Sequence, residues 1–193
     1  MRALKSAVRP VAMPFKEASH SLGHLRLRWV HLTHGIEGIE AELRRHMKDP
    51  ARVLRNYGAE IAPDAAVVGP LSVINASGDF SRLTIGPRAH VGSEVLIDLV
   101  DDVTIEEGAT VSMRSTIVTH FDPGHGPLAE RRPRETGAVT VRAGAYVGAG
   151  ATILHGVTIG SEAIVAACAL VNADVPDHAV VGGIPARPIQ QQP

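Results

Sequence analysis

Aromatic residues are scarce in this chain: Phe, Trp and Tyr together make up 3% of 193 residues. That scarcity argues against base-stacking platforms for nucleic acid and leaves Val, Ile, Leu and Ala to fill the interior, since 45% of the chain is hydrophobic. Cysteine is nearly missing too. The one thiol, Cys168, excludes an intramolecular disulfide framework and fits a reducing cytoplasm. Nor does either charge dominate: 19 Lys and Arg stand against 20 Asp and Glu, a formal net charge of -1. No strong field draws such a protein to nucleic acid or to an anionic membrane surface. No apolar run approaches the roughly 20 residues of a spanning helix. The first residues carry Arg2, Lys5, Arg9 and Lys16 without an acid, but Pro10 and Pro14 interrupt any apolar h-region, so no cleaved signal peptide is expected. The expectation is a cytoplasmic protein with neither membrane nor nucleic-acid partner.

What the chain does contain is a beat of six. From Val141 an aliphatic β-branched residue returns at Val147, Ile153, Ile159, Val165 and Val171. Four places after each stands a small or branched residue: Ala145, Ala151, Val157, Ala163, Ala169 and Val175. Neither a helix of period 3.6 nor a strand of period two repeats in this way. The pattern fits a hexapeptide β-helix, in which each unit is one flat side of a coil with its aliphatic residue pointing inward. The beat begins upstream at Ile61, Val67 and Val73, breaks at Asp79, and resumes in frame at Ile85, Val91 and Ile97. Near Asp101 and Asp102 two residues shift the phase, and Ile105, Val111 and Ile117 carry it on. About eighteen residues make one three-sided turn, so five or six coils are predicted.

Two stretches lack the beat. Residues 1 to about 16 read as an irregular arm. Glu17 to about Arg55 is weakly helical through Leu22, Leu25, Trp29, Leu32, Ile36, Ile39, Leu43 and Met47, with Gly35, Gly38 and Pro50 expected to break it into two or three short helices. His20, His24, His31 and His34 lie there at helical spacing but without Cys or Glu at ligand positions, so no metal is expected. The other stretch, 121–138, holds Pro123, Gly124, Gly126, Pro127 and Pro133 among Arg131, Arg132 and Arg134, and reads as a loop extruded from the coil. Because 141 minus 117 is 24, the loop takes a whole coil's worth of sequence. The domain reading is therefore 1–57 for arm and helices and 58–189 for the β-helix with its extruded loop.

Ile153 to Ile189, with "GVTIG", "VNADVP" and "VVGGIPARPI", resembles the C-terminal coils of the hexapeptide-repeat acyltransferases. Ile85 to His120 is similar to the maltose and galactoside O-acetyltransferase branch and to related sugar and xenobiotic acetyltransferases, and the resemblance spans residues 52–189. It implies a mainly β protein, a left-handed parallel β-helix with a short helical N-terminal segment, assembled as a homotrimer with sites between subunits. It also implies acetyl-CoA as the acyl donor, a small hydroxyl-bearing acceptor such as a sugar, and no metal.

Acyl transfer from a thioester needs a base for the attacking hydroxyl and a fixed alignment of the reactants. Histidine suits the first task at cellular pH. His120 closes Ser115-Thr116-Ile117-Val118-Thr119-His120 at the mouth of the loop and matches the family's catalytic histidine. For the acceptor, the candidates are Gly92, Glu94, Asp98 and His125; Asp98 or Glu94 could instead orient His120. Gly92 or Glu94 stands where the sugar branch carries an asparagine. For the donor, Gly148, Ala149, Ala166 and Ala167 match the pantetheine contacts, where missing side chains open the backbone. Asn172 matches a threonine near CoA, Ala173 stands where a lysine is common, and Arg187 keeps its place as a cationic contact. Tyr146 replaces a frequent tryptophan.

Two other functions remain open from sequence. A γ-class carbonic anhydrase-like zinc hydratase needs histidines five apart on a coil face; His155 looks like one, but its partner position is Gly150. His120 and His125 have the spacing, with Pro123 and Gly124 between them. A non-catalytic trimeric scaffold or binding protein is favoured by Ala173 and by the changed acceptor position at Gly92 or Glu94, and opposed by His120 and its loop.

Overall fold

The structure, a computed structural model, describes residues 13–45 and 47–189, with side chains from residue 23 onward apart from that of residue 24. Residues 1–12 of the expected arm, and the side chains of His20 and His24, lie outside what is described.

One unit explains the fold. In Ile85-Gly86-Pro87-Arg88-Ala89-His90 the aliphatic residue ends a short strand and points inward, and the fourth residue turns the corner with a left-handed backbone. That conformation recurs at Arg88, Glu94, Gly108, Arg114, Gly144, Gly150, Gly156, Glu162 and Cys168, with φ between 54 and 74°. The fifth residue tucks inside the corner, and Ala89, Ala109, Ala145, Ala151, Ala163 and Ala169 are all buried. A larger side chain there would overfill the corner, which accounts for the small residue at this beat.

Strands of successive coils pair in parallel and in register, like over like. Ile85 pairs with Ile105 and Ile105 with Val141 on the first side, Val111 with Val147 on the second, Ile97 with Ile117 and Ile117 with Ile153 on the third. The result is three parallel sheets wound as a left-handed parallel β-helix. Its interior is the ladder of inward Val and Ile residues, each contributing about 1.5–3 kcal/mol by leaving water.

The irregularities of the coil gather on one edge. Between first and second sides, and between second and third, the spacing stays at six. Every insertion falls where the third side returns to the first: after Val73, after Ile97 and after Ile117. The last is the largest. Val141 nevertheless pairs directly with Ile105, so the extruded segment leaves the stack undisturbed. That segment is more ordered than a plain loop: His120–Phe121 pairs antiparallel with Glu135–Thr136, and a short helix, Pro127–Arg131, lies between them.

The N-terminal expectation is corrected in two respects. Helix α1 runs Met13–Leu43, interrupted at Gly35 alone, whose φ of 60° and ψ of -154° leave the helical region. Residues 13–16 thus belong to the helix rather than to an arm. Gly38 does not break it; a Cβ there would lie 2.7 Å from Val30 Cγ1 and 2.8 Å from His34 Cβ, so the glycine permits the close approach across the bend. Pro50 opens helix α2, Pro50–Asn56, where its missing N–H costs nothing and Asp49 caps Arg52 N at 3.0 Å. Beyond the bend, Ile36, Ile39 and Leu43 join Val53 and Leu54 in the same hydrophobic cluster as the coil. Leu43 O also accepts from Leu71 N at 3.0 Å, tying the helix end to the first coil. Among the described residues no helix is long and apolar enough to cross a membrane.

Candidate active site

His120 follows the third side directly, on the edge that carries the insertions. Its Nδ1 lies 2.6 Å from Asp98 Oδ2. Asp98, only 2% exposed, stands one coil earlier on the same edge. Its Oδ2 also accepts from Thr119 N and Thr119 Oγ1, both at 2.8 Å, and its Oδ1 accepts from Asn75 Nδ2 at 2.7 Å. Burial alone pushes the Asp98 carboxyl up, but the hydrogen bonds from Asn75, His120 and Thr119 outweigh it and hold it below the ordinary aspartate value. An ionised carboxylate can only accept, so the His120 proton is assigned to Nδ1, and Nε2 keeps a free lone pair.

His120 lines a cleft of about 370 Å³ with Val118, Phe121, Arg132, Glu135, Leu154 and His155. Phe121 and Glu135 come from the paired strands of the extruded segment, Leu154 and His155 from the next coil on the same edge. His155 Nε2 is buried and, among the described residues, without a hydrogen-bond partner, with Glu135 Oε2 at 3.6 Å. A base poised beside a mostly apolar cleft can take a proton from a hydroxyl brought against it.

The other expected site residues fall in two groups. Asp98 is with His120, and since Asn75, Thr119 and His120 engage both of its oxygens, the orienting role fits it better than acceptor binding. Gly92 and Glu94 sit instead on the edge between second and third sides, where Glu94 Oε2 pairs with Arg114 Nε at 3.0 Å. Gly148 and Ala149 form that same edge two coils on, and Ala166 and Ala167 three coils on. Gly148 and Gly92 owe their smallness to stacking: a Cβ on Gly148 would lie 2.5 Å from Ala167 N, and one on Gly92 2.6 Å from Met113 N. Asn172 is exposed on the His120 edge, Arg187 is exposed on the antiparallel C-terminal strand Arg187–Pro188, and His125 is exposed in the extruded segment. Within one chain the four small donor residues Gly148, Ala149, Ala166 and Ala167 and His120 therefore occupy different edges of the prism, while Asn172 shares the edge of His120.

Asn75, His155, Phe121, Arg132 and Glu135 were not assigned to this site from sequence. Asn75 carries a weak signal: it lies two residues after Val73, beside Ile74, which pairs with Asp98 in the next coil. Of the N-terminal histidines, His31 packs its ring 4.9 Å from that of Tyr57, and His34 Nδ1 meets Thr33 Oγ1 at 2.6 Å. Among the described residues no three His, Cys, Asp or Glu side chains converge as metal ligands.

Residues 138–173 match the family model for the bacterial transferase hexapeptide, six repeats. A serine acetyltransferase of Buchnera aphidicola is 35% identical over 118 residues, covering 60% of this chain and 40% of that protein. Galactoside O-acetyltransferase of Escherichia coli is 27% identical over 112 residues, 55% of each chain. The chain thus spans about two fifths of the first of these relatives and about half of the second. Among solved structures, a hexapeptide-repeat acetyltransferase from Vibrio cholerae superposes with a TM-score of 0.68 at 20% identity, covering 78% of this chain and 85% of that one. A galactoside acetyltransferase in complex with coenzyme A gives 0.58 at 18% identity, covering 80% and 78%. Residues 138–173 thus carry the hexapeptide repeat, and the chain is similar in sequence to proteins named as acetyltransferases and in fold to a hexapeptide-repeat acetyltransferase.

Proposed function

We propose that the protein is an acyl-CoA-dependent O-acyltransferase that uses acetyl-CoA to acetylate a hydroxyl of a sugar or other small acceptor. The observation that carries this reading is the His120 imidazole, held through Nδ1 by a buried, ionised Asp98 with Nε2 left free at the cleft. The acceptor hydroxyl gives its proton to Nε2 as its oxygen attacks the thioester carbonyl carbon. The carbon–sulfur bond then breaks and the CoA thiolate leaves, taking the proton back from the imidazolium. No covalent enzyme intermediate is needed, because the thioester is already activated. Asp98 balances the imidazolium formed on the way. Similarity to proteins named as serine and galactoside acetyltransferases, and to a fold described with coenzyme A bound, supports the donor.

The expected donor residues fit a thin acyl-pantetheine arm, since Ala149, Ala166 and Ala167 leave the outer surface of their edge low. Because that edge is not the edge of His120, the complete site is formed between neighbouring subunits of a homotrimer.

The test is release of free CoA thiol from acetyl-CoA across a panel of hydroxyl and amine acceptors. With a productive acceptor, His120→Ala should lower kcat by about 10²-fold or more while the trimer persists. An undiminished rate in His120→Ala overturns the assignment.

A further inference from the structure

Asp98 reaches beyond His120, through Asn75, to the N-terminal helix. Asn75 donates Nδ2 to Asp98 Oδ1 at 2.7 Å from a left-handed backbone, φ 61°. The next peptide, Ala76 N, donates to Glu40 Oε1 at 3.1 Å. Glu40 belongs to α1 beyond its bend, is 6% exposed, and lies between Ile39 and the helix end that Leu43 O ties to Leu71 N. An acid buried in a helix face that already has Ile36, Ile39 and Leu43 to dock it is not needed for packing. Desolvation raises its pKa, only partly countered by the Ala76 N–H and Arg44, so its burial carries a cost that an apolar residue would avoid.

We infer that Asn75 is a positioning residue for the Asp98–His120 pair, and that Glu40 of α1 anchors the backbone from which Asn75 acts. The inference rests on His120 being the base of the reaction above, but its structural content is independent of that reaction. The chain of contacts has direction. Glu40 fixes the Ala76 peptide, which holds Asn75 in a conformation that few residues adopt without cost. Asn75 then occupies Oδ1 and stops the carboxylate rotating, so that Oδ2 stays aimed at Nδ1. Without that restraint Thr119 alone holds Asp98, and the imidazole is free to exchange its proton toward Nε2, the wrong nitrogen for a base.

Asn75→Gly removes the amide while keeping the positive φ at no steric cost. Imidazole nitrogen NMR of labelled protein reads the His120 tautomer without any acceptor. Wild type should give the Nδ1–H form, and Asn75→Gly a mixture with Nε2–H. Glu40→Ala should shift the tautomer the same way, and Glu40→Gln, whose carbonyl still accepts from Ala76 N, should restore the wild-type spectrum. In the transfer assay Asn75→Gly should lower kcat by about tenfold with KM for acetyl-CoA unchanged, a part of what a positioned base supplies. A wild-type tautomer in Asn75→Gly overturns the inference, and a wild-type spectrum in Glu40→Ala overturns the anchoring role of α1. The expected tautomer shift in a protein with no transferase activity would leave the positioning intact and sink the transferase reading instead.

Discussion

Asp98 shows how a single buried carboxylate can set the chemistry of its neighbour. Removing it from water favours protonation, and four donated hydrogen bonds reverse that preference. The consequence for His120 is a fixed tautomer rather than a contact with substrate. Asp98→Asn tests this directly. Because Thr119 N and His120 Nδ1 share one carboxylate oxygen, an amide there either keeps its oxygen on them and sets its NH₂ against the NH₂ of Asn75, or turns its NH₂ toward His120 Nδ1, gives up the Thr119 N bond and favours the Nε2–H tautomer. We expect kcat to fall by on the order of 10²-fold or more, with KM for acetyl-CoA nearly unchanged and the thermal transition within a few degrees of wild type. Wild-type turnover in Asp98→Asn would mean that the tautomer does not matter.

At the scale of the element, the same hexapeptide residues serve stacking before they serve anything else. Gly148 lies under the backbone of the next coil, and a methyl group there meets Ala167 N at 2.5 Å and Ala166 C at 2.8 Å. Gly148→Ala should therefore cost about 1–3 kcal/mol in denaturant unfolding even without any ligand, whereas Ala167→Ser, at an exposed corner, should be close to neutral. Equal stabilities would return the glycine to a purely functional role. This explains what was legible in the sequence. The inward beat from Ile61 to Val171 records the core one residue at a time, so sides, coils and the coil-sized insertion before Val141 could be read by counting. The His120 environment could not be counted in the same way. Asp98, Asn75 and Glu40 meet across insertions of different lengths, and their hydrogen bonds depend on corner geometry that no period encodes. The breaks at Gly35 and Pro50 were legible too, whereas Gly38 reads locally as a breaker although its role is tertiary, a close approach to Val30 across the bend at Gly35.

At the scale of the molecule, the prism separates the two halves of the proposed reaction. Two of its edges are uniform, and one of these carries Gly148, Ala149, Ala166 and Ala167; the third carries every insertion and His120. A donor lying along the smooth edge cannot offer its thioester to a histidine round the corner of the same coil. In a trimer, the smooth edge of one subunit can face the His120 edge of the next, so each site would draw on two chains. Subunit mixing distinguishes this arrangement from a site contained in one chain. Ala167→Trp places bulk on the exposed donor edge and should abolish transfer, as His120→Ala does, each in its own homotrimer. Mixed equally and reassembled, the two variants should recover about a quarter of the wild-type rate, since one neighbouring pair in four joins an intact His120 to an intact donor edge. No recovery in trimers shown to be mixed would place both halves of the site on a single chain, and the donor would then have to lie along the His120 edge, beside Leu154 and Asn172.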